Sequence, residues 1–200
     1  MTFQCCQVKA KLKRGLRMAL ERLKRNLPLF VVGIGRFTRN VLAVDSSGFS
    51  TSTYVRWFDV KYGNNEDWHD WLKMHLMCGV KTHIVTSVES SRATANDSPF
   101  FKPLLQQTAK AGFNMLEVSA DKGYISMKNL QATVDHGAVP FIPFKSNTQP
   151  DCGTDIWSKM FHFYNYKREE FLAHYHKRSN VESVFSDDQE QVWREATQQE

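Results

Sequence analysis

The sequence predicts an α/β domain built on a mixed sheet, preceded by a basic helical arm. Three observations lead to this fold class. Short apolar runs typical of strands follow residue 40, segments with helical spacing alternate with strands after residue 98, and residues 1–40 carry ten Lys or Arg against a single Glu. With 200 residues, 42% of them hydrophobic and 24% charged, the chain can form one sizeable core.

The N-terminal segment 1–39 is predicted to be a basic amphipathic helix. Apolar residues recur at helical spacing from Val8 to Leu27, and Lys or Arg residues fill much of the remaining surface. Such a helix could lie along phosphates, on an anionic membrane or against a partner helix, or it could pack on the body with a solvated basic face. Arg14 and Arg17 are its candidate phosphate contacts.

The strand-rich part of the chain comes next. Alternating or continuous apolar runs, separated by Gly, Ser and Asn, predict strands at 41–44, 53–60, 71–78 and 81–88. We expect the last two to be joined at Gly79, which gives a meander of three to four strands.

Helices and strands then alternate. The pattern predicts helices at 98–111, at 125–135 and from 154 onward, and strands at 115–120 and 138–144. Pro140 and Pro143 favour an edge position for the last strand, because proline cannot donate a hydrogen bond to a neighbouring strand. The final helix is expected to run, with or without a break, into residues 175–186.

Cysteine usage and hydropathy indicate the compartment. Cys5, Cys6, Cys78 and Cys152 form no Cys-x2-Cys pair, so we interpret them as thiols in a reducing environment. The longest apolar run, at 28–35, is far too short to cross a membrane. We therefore expect a cytoplasmic protein with no membrane partner.

Two acids occupy the same local setting. Asp45 ends the first buried strand in AVDSSG, and Asp121 ends a later strand in VSADKGY. Carboxylates at strand ends open into the crevice where α/β sheets place their sites. Either acid alone is more often a turn residue than a ligand.

The stretch at 175–186 holds a third acid. Tyr175, Arg178 and Glu182 fall on one face if the stretch is helical, which is also compatible with an ordinary Arg–Glu pair on an amphipathic helix. Three carboxylates that converge on one sheet edge would repel one another unless cations offset the charge. Their hard oxygen atoms would favour Mg²⁺ or Mn²⁺, and two such ions could clamp a phosphodiester.

Other candidate residues carry less weight. Gly33 and Gly35 give only a weak nucleotide-loop pattern, so no nucleotide cofactor is predicted. The histidines at 69, 75 and 83 have no metal-binding spacing and are interpreted as ordinary sheet and loop residues. Lys122, Lys145 and Lys177 lie near the acidic motifs and could meet phosphates.

These motifs together resemble the DDE transposases of bacterial and archaeal insertion sequences, in the branch with a Tyr-x2-Arg-x3-Glu-x6-Lys signature. VLAVDSSGFS resembles the segment with the first Asp of the family, LEVSADKGY resembles the segment with the second, and YHKRSNVE supplies the Tyr, Arg and Glu. The resemblance covers roughly residues 40–186.

The resemblance implies a ribonuclease-H-like fold for residues 40–186. It also implies that Asp45, Asp121 and Glu182 bind two Mg²⁺ or Mn²⁺ ions and catalyse strand cleavage and transfer at transposon ends. Tyr175 and Arg178 would support Glu182 or contact the DNA backbone, with Lys177, Lys122 and the basic arm as further DNA contacts. Transposon ends and target DNA are the implied partners, a homodimer is compatible with them, and the location would be nucleoid-associated.

The chain departs from the family pattern after residue 186. Gln189 stands where the signature has Lys, and residues 187–200 carry five acids against one Arg. We interpret 187–200 as a disordered or aberrant tail, which makes a truncated copy one expectation. Two alternatives stay open: a catalytically inactive DNA-binding or regulatory remnant, and a ribonuclease-H-like nuclease.

Overall fold

This computed structural model describes residues 39–50, 71–92, 94–150 and 155–180. The following predicted features lie outside the described residues: the helical arm with Arg14 and Arg17, the strand at 53–60, Glu182, the tail at 187–200, and Cys5, Cys6 and Cys152. The remaining cysteine, Cys78, is a buried thiol, and the reducing environment stays a prediction.

The described residues form five strands, four helices and two 3₁₀ turns. The strands are β1 (Arg39–Ser50), β2 (Trp71–Gly79), β3 (Val85–Arg92), β4 (Asn114–Ala120) and β5 (Val139–Phe141). The helices are α1 (Ser98–Lys110), α2 (Met127–Asp135), α3 (Asp155–Tyr166) and α4 (Arg168–Tyr175). The 3₁₀ turns are Lys122–Tyr124, after β4, and His176–Asn180, after α4.

The strands make one mixed sheet in the order β3-β2-β1-β4-β5. β2 pairs antiparallel with both β1 and β3, whereas β4 pairs parallel with both β1 and β5. Among the described strands, β1 is therefore central, and β5 with its Pro140 lies at an edge, as the prolines predicted. A mixed sheet flanked by helices confirms the predicted fold class and is consistent with a ribonuclease-H-like fold.

One face of the sheet packs against α1. Val44 and Met77 pair across β1 and β2, so their side chains point to the same face. Both belong to the apolar core together with Phe101 and Leu104 of α1. The Ser87 hydroxyl donates a hydrogen bond of 3.0 Å to the carbonyl of Leu104, which joins β3 to the same helix.

The opposite face packs against α4 through aromatic rings. Phe141 of β5 stacks on His174 with ring centroids 4.4 Å apart, and it meets Phe171 edge-on at 5.4 Å. Phe163 and Tyr164 of α3 contact the Phe171 ring as well. Phe171 is fully buried, and it is the one buried residue of α4. This ring cluster therefore attaches α4 to the sheet.

β3 begins four residues later than the sequence predicts. Residues 80–83 form the turn after β2, in which the Gly79 carbonyl accepts a 2.8 Å hydrogen bond from the His83 N–H, and His83 adopts a φ of 55°. A Cβ at Gly79 would collide with the Thr82 hydroxyl, so glycine permits the tight return. The turn thus uses residues that the apolar pattern had assigned to the strand.

The helix predicted over 175–186 also differs. α4 ends at Tyr175, and residues 176–180 form the 3₁₀ turn, while residues 181–186 lie outside the described part of the chain. The Ser179 hydroxyl donates a 2.8 Å hydrogen bond to the His176 carbonyl, a contact that competes with α-helical pairing. Side chains three residues apart align in a 3₁₀ helix, so Tyr175 and Arg178 still share a direction.

The attachment of α4 gives a stability prediction. Phe171→Ala should lower the free energy of unfolding by about 3–5 kcal/mol, because it leaves a cavity among the surrounding aromatic rings. Phe171→Leu should cost less. Urea denaturation measures both variants, and Tyr166→Ala is the control, since that ring is 82% exposed. A loss below about 1 kcal/mol for Phe171→Ala would show that the ring cluster does not anchor the helix.

Candidate active site

The parallel pairing of β1 and β4 brings the two predicted aspartates together. The last paired positions of this ladder are Val44 and Ala120, and Asp45 and Asp121 directly follow them in sequence. Asp45 does not end its strand as the sequence predicted, because β1 continues to Ser50 by pairing with β2, whereas Asp121 is the first residue after β4. The two carboxylates nevertheless extend from neighbouring positions of the sheet. The alternation of side chains places Asp45 on the face that packs against α4.

α4 and the 3₁₀ turn after it supply partners to both aspartates. Arg178 Nη1 lies 2.6 Å from Asp45 Oδ2, and the Tyr175 hydroxyl donates to Asp121 Oδ1 at 3.5 Å. The guanidinium also lies over the Tyr175 ring, 5.4 Å from its centroid. A third donor comes from β1 itself, because the Ser46 backbone N–H is 2.8 Å from Asp45 Oδ1.

The pKa shifts of these partners agree with their roles as donors. Burial alone would lower the pKa of Arg178, but attraction to Asp45, Tyr175 and Asp121 outweighs it, so the pKa is raised and the guanidinium stays charged. Burial raises the pKa of Tyr175, and Arg178 opposes that shift. Tyr175 therefore remains a neutral phenol that can donate to a carboxylate.

A second polar network lies on the α1 face, directly behind Asp45. Ser46 donates through its hydroxyl to Asp97 Oδ1 at 3.3 Å and shares a hydrogen bond with the Tyr124 hydroxyl. The Lys73 ammonium lies 2.5 Å from the same Asp97 oxygen. Ser46 thus holds Asp45 with its backbone and the network with its side chain.

Tyr124 connects this network to the Asp121 segment. It is almost fully buried, and burial is the main reason its pKa lies well above the ordinary value, with the carboxylates of Asp97, Asp45 and Asp121 adding to the shift. Its backbone N–H donates to the Asp121 carbonyl at 2.9 Å. Tyr124 therefore ties the loop that carries Asp121, through its backbone, to the strand that carries Asp45, through its hydroxyl.

Gly123 allows the same loop to approach Asp97 closely. A Cβ at position 123 would lie 3.1 Å from Asp97 Oδ2, closer than ordinary van der Waals contact. The glycine between Lys122 and Tyr124 therefore lets the Asp97 carboxylate lie against the backbone.

His75 completes the network from β2. Its Nδ1 is 3.0 Å from the Tyr124 hydroxyl, its Nε2 is 2.9 Å from the Ser91 hydroxyl, and its ring stacks on Phe100. Burial is the main cause that lowers the pKa of His75 to about 4, while Asp97 and Glu89 oppose the shift and Lys73 adds to it. Although Asp97 Oδ1 is 3.6 Å away, the imidazole is neutral at pH 7.

A third polar contact joins α4 and the turn after it to β4. Glu117 Oε2 lies 2.8 Å from His174 Nδ1 and 3.3 Å from Lys177 Nζ. These contacts lie on the same side of the sheet as the Arg178–Asp45 pair and orient the end of α4. Lys177 is thus placed against Glu117, while its predicted contact with DNA stays a prediction.

The structure brings together four of the predicted site residues: Asp45, Asp121, Tyr175 and Arg178. Lys122 is exposed in the 3₁₀ turn directly after Asp121. The sequence reasoning missed Asp97 and Tyr124 and treated His75 as an ordinary strand residue. Polar Lys73 and His75 alternate with apolar Met74 and Leu76 in β2, and this alternation was the available signal.

The donor set fits a hard divalent cation. Carboxylate oxygens are the ligands that Mg²⁺ and Mn²⁺ prefer. The Arg178 guanidinium already pairs with one Asp45 oxygen, which shows that positive charge is favourable at this position. Within the described residues, no group of three or more His, Cys, Asp or Glu side chains is arranged to hold a metal ion. Asp45 and Asp121 would therefore supply two of the ligands, with further ligands from elsewhere.

The buried imidazole makes stability depend on pH. An unfolded His75 takes up a proton near pH 6.5, whereas the folded form resists protonation until about pH 4. The free energy of unfolding should therefore be fully retained above pH 6.5 and fall as the pH drops toward 4, by about 3 kcal/mol from this residue, at about 1.4 kcal/mol per unit of pKa difference.

Urea denaturation between pH 4 and 7.5 measures this dependence. His75→Gln should flatten the slope, whereas His136→Gln, at an exposed histidine after α2, should leave it unchanged. An NMR titration that finds the His75 imidazole protonated near pH 6.5 in the folded protein would contradict the prediction.

Comparison with known proteins identifies the family. No curated protein and no solved structure matches the chain. No helix within the described ranges is long and apolar enough to span a membrane. The family described as "Transposase DDE domain" matches residues 36–198, a segment that includes Asp45, Asp121 and Glu182. Because this match covers most of the 200 residues, the chain belongs to the transposase DDE domain family.

Proposed function

We propose that this chain is a metal-dependent DNA transposase that cleaves and joins strands at insertion-sequence ends. The observation that carries the proposal is the pair of aspartates at the centre of the sheet, side by side and bridged by Arg178 and Tyr175. Two carboxylates on neighbouring chain segments at the centre of the sheet form a compact acidic site that needs cations for charge balance.

Asp45, Asp121 and Glu182 would hold the metal ions. Two Mg²⁺ or Mn²⁺ ions held there would supply the activation of a water or a 3′-hydroxyl and the stabilisation of the leaving oxygen. Asp45 lies within β1 and Asp121 directly follows β4, which supports a fixed distance between their carboxylates. Glu182 follows Arg178 by four residues, which makes it the nearest downstream acid to the bridge.

DNA would approach the site along cationic side chains. Lys122 is exposed directly after Asp121, and Arg178 presents a charged guanidinium beside Asp45. Tyr175 can support either the guanidinium or a strand of DNA. Arg14 and Arg17 of the basic arm, together with Lys177, are further proposed contacts, and these charges favour binding to a phosphate backbone.

Transposon ends and target DNA are the proposed partners, and both imply a cytoplasmic, nucleoid-associated location. A homodimer would allow two ends to be held together.

A second candidate is a DNA-binding remnant without catalysis. Gln189 occupies the position where the signature has Lys, and the segment 187–200 is acidic. Both changes would weaken contacts to DNA near Glu182. A ribonuclease-H-like nuclease is the third candidate, since the same acidic site could cut other nucleic acids.

The catalytic assignment is tested by removing one charge at a time. Asp45→Asn, Asp121→Asn and Glu182→Gln should each reduce Mn²⁺-dependent nicking of DNA that carries the cognate ends by about 10³-fold or more, because each removes a metal ligand. Asp135→Asn, at an exposed position at the end of α2, is the matched control and should keep its activity.

The outcome separates the three candidates. Nicking that survives the Asp45 and Glu182 substitutions would contradict the transposase assignment. Salt-dependent DNA binding without cleavage under any metal would favour the remnant. Cleavage restricted to RNA–DNA hybrids would favour the nuclease.

The DNA contact at Lys122 is tested by binding. Lys122→Ala should weaken DNA binding and lower the slope of log affinity against log salt by about one, as expected for the loss of one phosphate contact. Lys110→Ala is the control, because Lys110 is also exposed but lies at the C-terminal end of α1, about 18 Å along the helix axis from Ser98 at 1.5 Å per residue. Fluorescence anisotropy at several salt concentrations measures both, and equal slopes would contradict the contact.

A further inference from the structure

We propose that Arg178 is the resident counter-ion of Asp45 and that a divalent metal ion must displace it to bind. The inference rests on the proposed function, because it concerns the same site. It gives Arg178 a role before any DNA is bound, in the apoprotein.

The first step is the geometry of the ion pair. Arg178 Nη1 is 2.6 Å from Asp45 Oδ2, and the two side chains are only 18% and 19% exposed. A close, largely buried pair of opposite charges is screened far less by water and salt than a surface pair. The guanidinium is therefore a strong competitor for the Asp45 carboxylate.

The second step is the position of the contact on the carboxylate. Oδ1 of Asp45 accepts the Ser46 backbone N–H at 2.8 Å, and Oδ2 accepts the guanidinium. The backbone donor belongs to a central strand and cannot leave without breaking the sheet. The arginine side chain can leave, so Oδ2 is the oxygen that an incoming ion would take.

The third step is the charge balance. Asp121 directly follows the β4 residue that pairs with Val44, and both Asp45 and Asp121 raise the pKa of Arg178, so without a cation two like charges would lie near each other. Arg178 offsets this repulsion in the apoprotein. A divalent ion would offset it better, and its charge would repel a guanidinium held at the same oxygen. The two cations therefore exclude each other at Asp45.

The fourth step is mechanical. Arg178 lies in the 3₁₀ turn beyond α4, whereas α4 is fixed by Phe171 and by the contact of His174 with Glu117. The guanidinium already lies near the Tyr175 ring face, 5.4 Å from its centroid, where a cation is attracted to the π-system. Release from Asp45 thus needs a side-chain movement and no displacement of α4.

The test measures Mn²⁺ affinity by calorimetry and by the electron paramagnetic resonance signal of free Mn²⁺. Arg178→Gln should bind Mn²⁺ about five- to tenfold tighter than the wild type, since the competitor is gone. Arg178→Lys keeps the charge and should stay near the wild type. Asp45→Asn should bind Mn²⁺ more weakly, because it removes a ligand.

Arg168→Gln is the matched control. It removes the same charge from α4 at an exposed arginine that also lies over a tyrosine ring, 5.1 Å from the Tyr164 centroid. Its Mn²⁺ affinity should stay within about twofold of the wild type, because salt screens the effect of a remote surface charge on metal binding.

A second measurement, an NMR titration with Mg²⁺, is made on the wild type, and a variant serves only to assign the signal. In ¹⁵N spectra of arginine Nε–H groups of the wild type, Mg²⁺ should shift one resonance, which the Arg178→Gln spectrum then assigns to Arg178. A spectrum unchanged by saturating Mg²⁺ would overturn the inference.

The affinities distinguish failure of this inference from failure of the proposed function. If Arg178→Gln binds Mn²⁺ no more tightly than Arg168→Gln does, the counter-ion role is overturned while the metal site stands. If neither Asp45→Asn nor Asp121→Asn changes the Mn²⁺ affinity, the proposed metal site itself is overturned, and the inference with it.

Discussion

The parallel pairing of β1 with β4 is the constraint on which the site depends. It fixes Val44 beside Ala120, and the next residue of each segment is an aspartate. Hydrogen bonds between central strands hold this register, so the two backbone segments that carry the carboxylates cannot separate to relieve their repulsion. The surrounding residues must therefore supply positive charge and hydrogen-bond donors.

The two faces of the sheet meet this demand in different ways. On the α4 face, a charged guanidinium and a neutral phenol contact the carboxylates directly. On the α1 face, Ser46, Tyr124 and His75 form a neutral network that ends at the Asp97–Lys73 pair. The direct contacts are the exchangeable ones. The neutral network, which is mostly buried, keeps the two aspartate segments in place whatever binds between them.

Much of the fold was predictable because its signals are local. Apolar runs and turn residues predicted β2, β4 and α1 nearly at their observed bounds, and the prolines predicted the edge position of β5. The first strand was predicted at 41–44 only, because the polar half of β1 that continues to Ser50 pairs with β2 without an apolar pattern. β3 was displaced because the turn after Gly79 depends on His83 in a left-handed conformation, which no apolar pattern reveals. The 3₁₀ turn after Tyr175 was missed for a similar reason, since a side-chain contact of Ser179 replaces the expected helical pairing.

The candidate site was predictable only in part because its contacts are long-range. The expected strand-end position, which holds for Asp121 and not for Asp45, and motif spacing identified Asp45, Asp121, Tyr175 and Arg178 from the sequence. The pairing of Arg178 with Asp45 joins residues 133 positions apart, and the sequence contains no signal for that choice of partner. Asp97 was missed because it looks like an ordinary residue before a helix, and only the folded chain brings it to Ser46.

The distribution of stabilising contacts also bears on how such a site can work. The aromatic cluster around Phe171 and the contacts of Glu117 fix α4 without using either aspartate. The fold therefore does not depend on the Arg178–Asp45 contact for the attachment of this helix. A protein that must exchange one cation for another at its centre requires that independence, because otherwise each exchange would loosen the element that carries the exchanging residue. The residue that leaves Asp45 can then do so while its helix stays in place.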